Sequence, residues 1–152
     1  MPQLKSELLF TVDITVGRVQ NLPATPLGDR RIVEVTGGTF EGPRMNGKIL
    51  PCGGDWILLR RDGVLQLDVR LTLETDDEQL IYMTYHGFRH GPAEVIARLN
   101  RGEAVAASEY YFRIAPMFQT GSEKYAWLNG IVAAGVGDRK AAGPRYQVFE
   151  IL

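Results

Sequence analysis

Leu65-Gln66-Leu67-Asp68-Val69-Arg70-Leu71-Thr72-Leu73-Glu74 decides the fold. Its apolar residues fall on every second position, and side chains of a β-strand alternate between the two faces of a sheet. Leu65, Leu67, Val69, Leu71 and Leu73 therefore share a core face, and the polar residues share the other. Just before it, Trp56 to Arg61 reads as a strand closed by Arg61-Asp62-Gly63, and Asp-Gly is a strong hairpin signal. Just after it, the acidic turn Asp76-Asp77-Glu78 leads into a strand over Leu80 to Gly87.

The same alternation recurs farther out. Leu8, Phe10, Val12, Ile14 and Val16 form one face of a first strand, with Thr11, Asp13 and Thr15 opposite. Residues 30–36 read as a strand, 38–42 as a short bent one, and strands resume over 107–115, 127–135 and 146–152. Only 92–101 carries a helical pattern. Pro92 suits a first-turn position, Val95, Ile96 and Leu99 fall at helical spacing, and Gly102 stops the run. Roughly nine or ten short strands with tight turns point to an all-β, mostly antiparallel domain spanning residues 1–152. A closed or nearly closed β-barrel is preferred to a sandwich, because closure removes exposed sheet edges and leaves room for a small ligand.

Composition narrows the function classes. The 152 residues are 45% apolar and 23% charged, as in ordinary globular proteins. The 17 basic and 18 acidic residues are scattered and nearly cancel, which gives no footprint for nucleic acid or an anionic membrane. No apolar run reaches the length of a membrane span, and the first residues carry no leader pattern. With a single cysteine, Cys52, a cytoplasmic setting is the default expectation.

The second informative stretch runs from Thr36 to Trp56 and is dense in glycine, so its backbone bends sharply or packs closely. Gly37-Gly38-Thr39-Phe40-Glu41-Gly42-Pro43 is followed by Gly53-Gly54-Asp55-Trp56, then by Arg60-Arg61-Asp62-Gly63 and Leu67-Asp68-Val69-Arg70. The C-terminal third adds Tyr111-Phe112-Arg113, Pro116-Met117-Phe118-Gln119-Thr120 and Tyr125-Ala126-Trp127-Leu128-Asn129. This ordered set of motifs resembles the family named domain of unknown function 3237, also called uncharacterised protein family 0311, over nearly the whole chain. The resemblance implies a compact β-barrel found in bacteria and fungi, and it implies no mechanism. Gln119 departs from the acidic residue that the family pattern has before the threonine.

Within this frame the chemistry-bearing residues are few. Asp55 beside Trp56 offers a carboxylate next to an aromatic wall, and burial would raise its pKa towards that of a general base. The competing reading makes Asp55 a turn carboxylate and Trp56 core filler. Glu41 is the second candidate base. Arg70 is a candidate anion anchor if its strand face is internal, and otherwise part of a solvated outer face. Tyr111, between Glu109 and Arg113 on one strand face, is a candidate phenolic donor. Trp127 and Asn129 share a strand face near Phe118, an aromatic setting with one amide that suits a small-molecule pocket.

His86 and His90 lack the carboxylate or thiolate partners of a metal site, so no metal is expected. No Rossmann, P-loop or Gly-x-Ser-x-Gly element occurs, so no cofactor is expected. The expectation is a barrel that binds a small organic metabolite, with Asp55, Glu41 and Tyr111 catalysing proton transfer of isomerase, cyclase or lyase type. Trp56, Arg70, Trp127, Asn129 and Phe118 would bind the ligand. A non-catalytic ligand-binding barrel and a homo-oligomeric interaction protein are the alternatives.

Overall fold

A computed structural model describes residues 1–152. Nine antiparallel strands and one helix follow the chain: β1 (Ser6–Thr25), β2 (Gly28–Glu41), β3 (Asn46–Ile49), β4 (Gly53–Arg60), β5 (Leu65–Thr75), β6 (Leu80–His90), α1 (Ala93–Asn100), β7 (Tyr111–Gln119), β8 (Val132–Arg139) and β9 (Pro144–Ile151). The sheet closes on itself. β1 pairs with both β2 and β9, β5 pairs with both β3 and β4, and the remaining neighbours run β9-β8-β7-β6-β5. β3 and β4 lie end to end between β2 and β5, so nine strands fill eight positions of an uneven barrel.

The alternation seen in sequence sets what is inside. Leu65, Leu67, Val69, Leu71 and Leu73 are all buried, as are Phe10, Val12 and Ile14 of β1 and Ile81, Met83 and Tyr85 of β6. Each such side chain contributes about 1.5–3 kcal/mol of burial. One end of the barrel is filled. There Phe10 packs against Phe40 and Phe118 at centroid distances of 5.6 and 6.0 Å. The segment before β8 lays Tyr125 and Leu128 over the opening, and both are buried.

The structure corrects the sequence boundaries in several places. β3 is a strand that the sequence pattern does not predict, and β6 and β8 run on to His90 and Arg139. The first strand runs on to Thr25, beyond its last alternating apolar residue, because it forms a long hairpin with β2 that projects past the core. Residues 30–36 and 38–42 form one strand, bent where the register with β1 shifts after Thr15↔Gly37. Gly38 makes the bend, with φ of 142° and a position where an added Cβ would lie 2.1 Å from the Asp13 carbonyl oxygen. Residues 107–109 form a 3₁₀ turn, so β7 starts only at Tyr111. Residues 126–130 form a second 3₁₀ turn, so Trp127 and Asn129 do not share a strand face. The helix expected at 92–101 forms over Ala93–Asn100, with Val95 buried and the Gly102 amide bonded to the Leu99 carbonyl.

Candidate functional site

The opposite end of the barrel is not filled. A cavity of about 320 Å³ enters between the β1–β2, β4–β5 and β8–β9 hairpins, with α1 leaning over its rim through Leu99 and Asn100. Its walls are mostly aliphatic, from Ile14, Val33, Val35, Ile57, Leu67 and Val69. The polar groups that interrupt them form two levels. Asp55, Tyr85 and Tyr146 lie deep, and Arg31, Arg89 and Arg139 lie towards the mouth.

Asp55 points inward because β4 places it between the inward residues Val33 of β2 and Val69 of β5. It is the only carboxylate on the lining. The β4–β5 pairing is interrupted beside it, between Asp55↔Val69 and Leu58↔Gln66. In that gap the Asp68 amide donates to Asp55 Oδ1 at 3.2 Å, and Arg30 Nη1 donates to the Trp56 carbonyl at 2.9 Å. Burial pushes the Asp55 carboxyl up to about 7, the Asp68 amide works against that rise, and the Asp68 charge adds to it. Asp55 is thus partly protonated at neutral pH.

Across the cavity, Tyr85 and Tyr146 meet edge to face at 5.3 Å, and Phe112 stacks edge-on against Tyr146 at 5.2 Å. Gly137 makes room for this cluster, since a Cβ there would sit 2.6 Å from the Phe112 ring. Burial is the main cause that raises both tyrosine pKa values, and the Asp55 charge adds to it. Both phenols are therefore neutral O–H groups able to donate.

Of the expected site residues, only Asp55 lines this cavity. Trp56 and Arg70 lie outside the barrel, with the Arg70 guanidinium 5.6 Å from the Trp56 ring. Glu41 is exposed at the filled end, paired in register with Thr11 and Asn46. Tyr111 is exposed and stacks on His90 at 4.9 Å, and its expected neighbour Glu109 instead pairs with Arg98 at 2.7 Å.

Trp127 is covered by the Arg44 guanidinium at 3.9 Å, and Arg44 in turn pairs with Glu150. Asn129 closes a loop: its Oδ1 accepts from the Thr120 amide at 2.8 Å and its Nδ2 donates to the Thr120 carbonyl at 2.9 Å. Phe118 is buried in the aromatic cluster of the filled end. Sequence reasoning missed Tyr85, Tyr146 and the three arginines. The signal was present, because each continues the inward phase of its strand. No cluster of three His, Cys, Asp or Glu side chains is placed to hold a metal ion.

An antiparallel barrel closed at one end, with a ligand-sized apolar cavity and a desolvated carboxyl at the other, is the class that fold and site define. The chain belongs to the family described as "Protein of unknown function (DUF3237)", whose pattern matches residues 4–151. A UPF0311 protein of Rhodopseudomonas palustris is 33% identical over 151 residues, 99% of each chain. The crystal structure of a conserved protein of unknown function from that organism matches with a TM-score of 0.95 at 33% identity, covering all of both chains. A beta-barrel like protein from Acinetobacter baumannii matches with a TM-score of 0.87 at 38% identity, covering 100% of this chain and 98% of that one. More distantly, the hydroalkoxylation enzyme phnH of Penicillium herquei is 28% identical over 130 residues, 85% of this chain and 71% of that protein. No helix is long and apolar enough to cross a membrane.

Proposed function

We propose that this barrel binds a small unsaturated organic metabolite in its open-ended cavity and moves a proton on it through Asp55. The observation that carries the reading is the lone, desolvated carboxyl on an otherwise apolar floor, facing two neutral phenols. A general acid–base group works best when its pKa lies near the operating pH, and burial brings Asp55 there.

The reaction class that fits is addition of an O–H group across an activated carbon–carbon double bond, or the reverse elimination. Asp55 as carboxylate takes the hydroxyl proton while the oxygen bonds to carbon, then returns that proton to the adjacent carbon. The O–H bond and the double bond are consumed, the C–O and C–H bonds form, and the Asp55 carboxylate is regenerated. Tyr85 and Tyr146 donate to the oxygen on which negative charge develops. The hydroalkoxylation activity named for the Penicillium herquei relative supports this class, since that word denotes the same addition.

The test is deuterium uptake from D₂O at the carbon next to the carbonyl of hydroxy-enone substrates. Wild type exchanges or cyclises one member of a panel, and Asp55→Asn loses that activity by at least about a hundredfold. An Asp55→Asn protein with full activity removes Asp55 from the chemistry.

Association of copies rests on a separate observation. The outer faces of β6, β7 and β8 expose Phe88, Tyr111, Met117, Val132 and Val136, with Arg113 set between Phe88 and Val136, on a chain of net charge −1. A second copy covering this face predicts a dimer in analytical ultracentrifugation, and Met117→Lys shifts it to monomer. A wild-type monomer at high concentration ends this reading.

A further inference from the structure

Three guanidinium groups share the cavity mouth, and none has a carboxylate partner. Arg31 comes from β2, Arg89 from the end of β6 and Arg139 from the end of β8. The protein forms nine ion pairs, and none involves these arginines. The nearest acid in sequence, Asp138, is committed to Lys140 at 2.6 Å and also accepts from Tyr110 Oη. Arg139 is held in place through its backbone, whose amide donates to the Tyr110 hydroxyl at 2.8 Å. Its Nη1 reaches only the Lys140 carbonyl.

Arg89 is the most telling of the three. Its Nε is fully buried and has no hydrogen-bond partner in the protein. Burial first, then the charges of Arg139 and Arg31, disfavour its charged form, with Tyr110 and Tyr146 offsetting part of this. A buried donor left unpaired costs about 1–3 kcal/mol, and like charges at a shared mouth add repulsion. A protein does not gather three unpaired guanidiniums around a cavity for stability.

We infer that the ligand of this cavity is a monocarboxylate, its carboxylate seated between Arg89 and Arg139 and closed over by Arg31. Planar guanidinium forks match carboxylate geometry and bind it with paired hydrogen bonds. The inference rests on the proton-transfer reading for its orientation. Arg89 lies four residues along β6 from Tyr85, which pairs with Val69 beside Asp55. Four residues of strand span roughly 13 Å, so an acid anchored at the mouth sends its unsaturated body down the aliphatic walls to the carboxyl at the floor. The volume of about 320 Å³ suits an aromatic or alkenyl acid of modest size.

Isothermal titration with trans-cinnamate, cinnamamide and inorganic phosphate tests it. Wild type binds cinnamate at least about tenfold tighter than the amide. Arg89→Gln and Arg31→Gln each abolish that preference, and Arg31, exposed at the rim, keeps the test valid if the Arg89 variant does not fold. Asp55→Asn retains the preference, so loss of the proton-transfer reading leaves this inference standing and the converse also holds. Equal binding of acid and amide, absence of cinnamate binding, or unchanged preference in Arg31→Gln overturns it. Phosphate that binds as tightly as cinnamate overturns the carboxylate assignment in favour of a phosphorylated ligand.

Discussion

The Asp68 amide donates to Oδ1 of Asp55 at 3.2 Å, and this is the one hydrogen bond the Asp55 carboxyl receives. The two aspartates occupy facing strands, yet their side chains go to opposite sides. Asp55 enters the cavity, and Asp68 turns outward to His86 Nε2 at 3.4 Å. Neighbouring acids on one sheet thus have opposite environments. A single amide does not offset the loss of water around Asp55.

The pH dependence of stability follows from this. The Asp55 carboxyl is protonated up to about pH 7 when folded and only to near 3.8 when unfolded. Between these values the folded state binds more protons, so its stability falls as pH rises and then levels off above about pH 7. The shift corresponds to an upper figure on the order of 4 kcal/mol. Asp55→Asn removes the penalty. It is expected to stabilise the protein by about 2–4 kcal/mol at pH 8, a rise in Tm of roughly 5–10 °C. Near pH 4, where the native carboxyl is already neutral, the difference vanishes. Thermal melts of both proteins at the two pH values check it, and a gain equal at both would place the cause elsewhere.

The filled end should be separable from the cavity end. Leu128 is buried in the plug over the aromatic cluster, on the opposite side of the barrel from Asp55. Leu128→Ala is expected to cost about 2–5 kcal/mol in urea denaturation, by lost burial and the void left behind. Cinnamate binding at the mouth stays unchanged at temperatures where the variant is folded. A loss of binding with intact fold would show that the two ends are coupled.

Gly38 gives a backbone test. Any Cβ there meets the Asp13 carbonyl at 2.1 Å, and φ is 142°. Neither can relax without opening the β1–β2 ladder at Ile14↔Gly38. Gly38→Ala is expected to lose more than about 2 kcal/mol. Gly63→Ala, at φ of 87° with open space around it, loses about 1 kcal/mol. Denaturation of the two variants side by side separates clash from conformational preference.

Much of the fold was legible because period-two alternation is strong where one sheet face is buried, as in Leu65 to Leu73. It failed at Val16, where β1 leaves the core and continues as a ribbon without an apolar face to mark it. It failed again at Trp127, where aromatic content imitates a strand but Asn129 clamps a 3₁₀ turn to Thr120.

In the site, chemistry-bearing residue types were easier to see than the face they occupy. Ile81, Met83, Tyr85, Gly87 and Arg89 form one uninterrupted inward series on β6. Val35, Val33 and Arg31 do the same on β2, and Ala133, Gly135, Gly137 and Arg139 on β8. Each arginine stands one step beyond the last apolar or glycine residue of its series. Continuing the phase past the apolar run would have found all three.

Arg70 occupies the opposite phase from these three arginines. It is two residues from Asp68 on the outward face of β5, with its guanidinium near the exposed Trp56 ring. A cation–π contact at an exposed site is worth about 0.5–1 kcal/mol. Arg70→Ala is therefore expected to cost no more than that, to alter Trp56 emission, and to leave cinnamate affinity within about twofold of wild type. Arg89→Gln, from the adjacent strand but the inward phase, does the reverse, with affinity lost and Trp56 emission unchanged. Two arginines of equal charge, five residue pairs apart on the β5–β6 ladder and so on opposite faces, are thereby assigned opposite roles by phase alone. Loss of affinity in Arg70→Ala would mean that the ligand reaches the outer face, and the cavity assignment would fail with it.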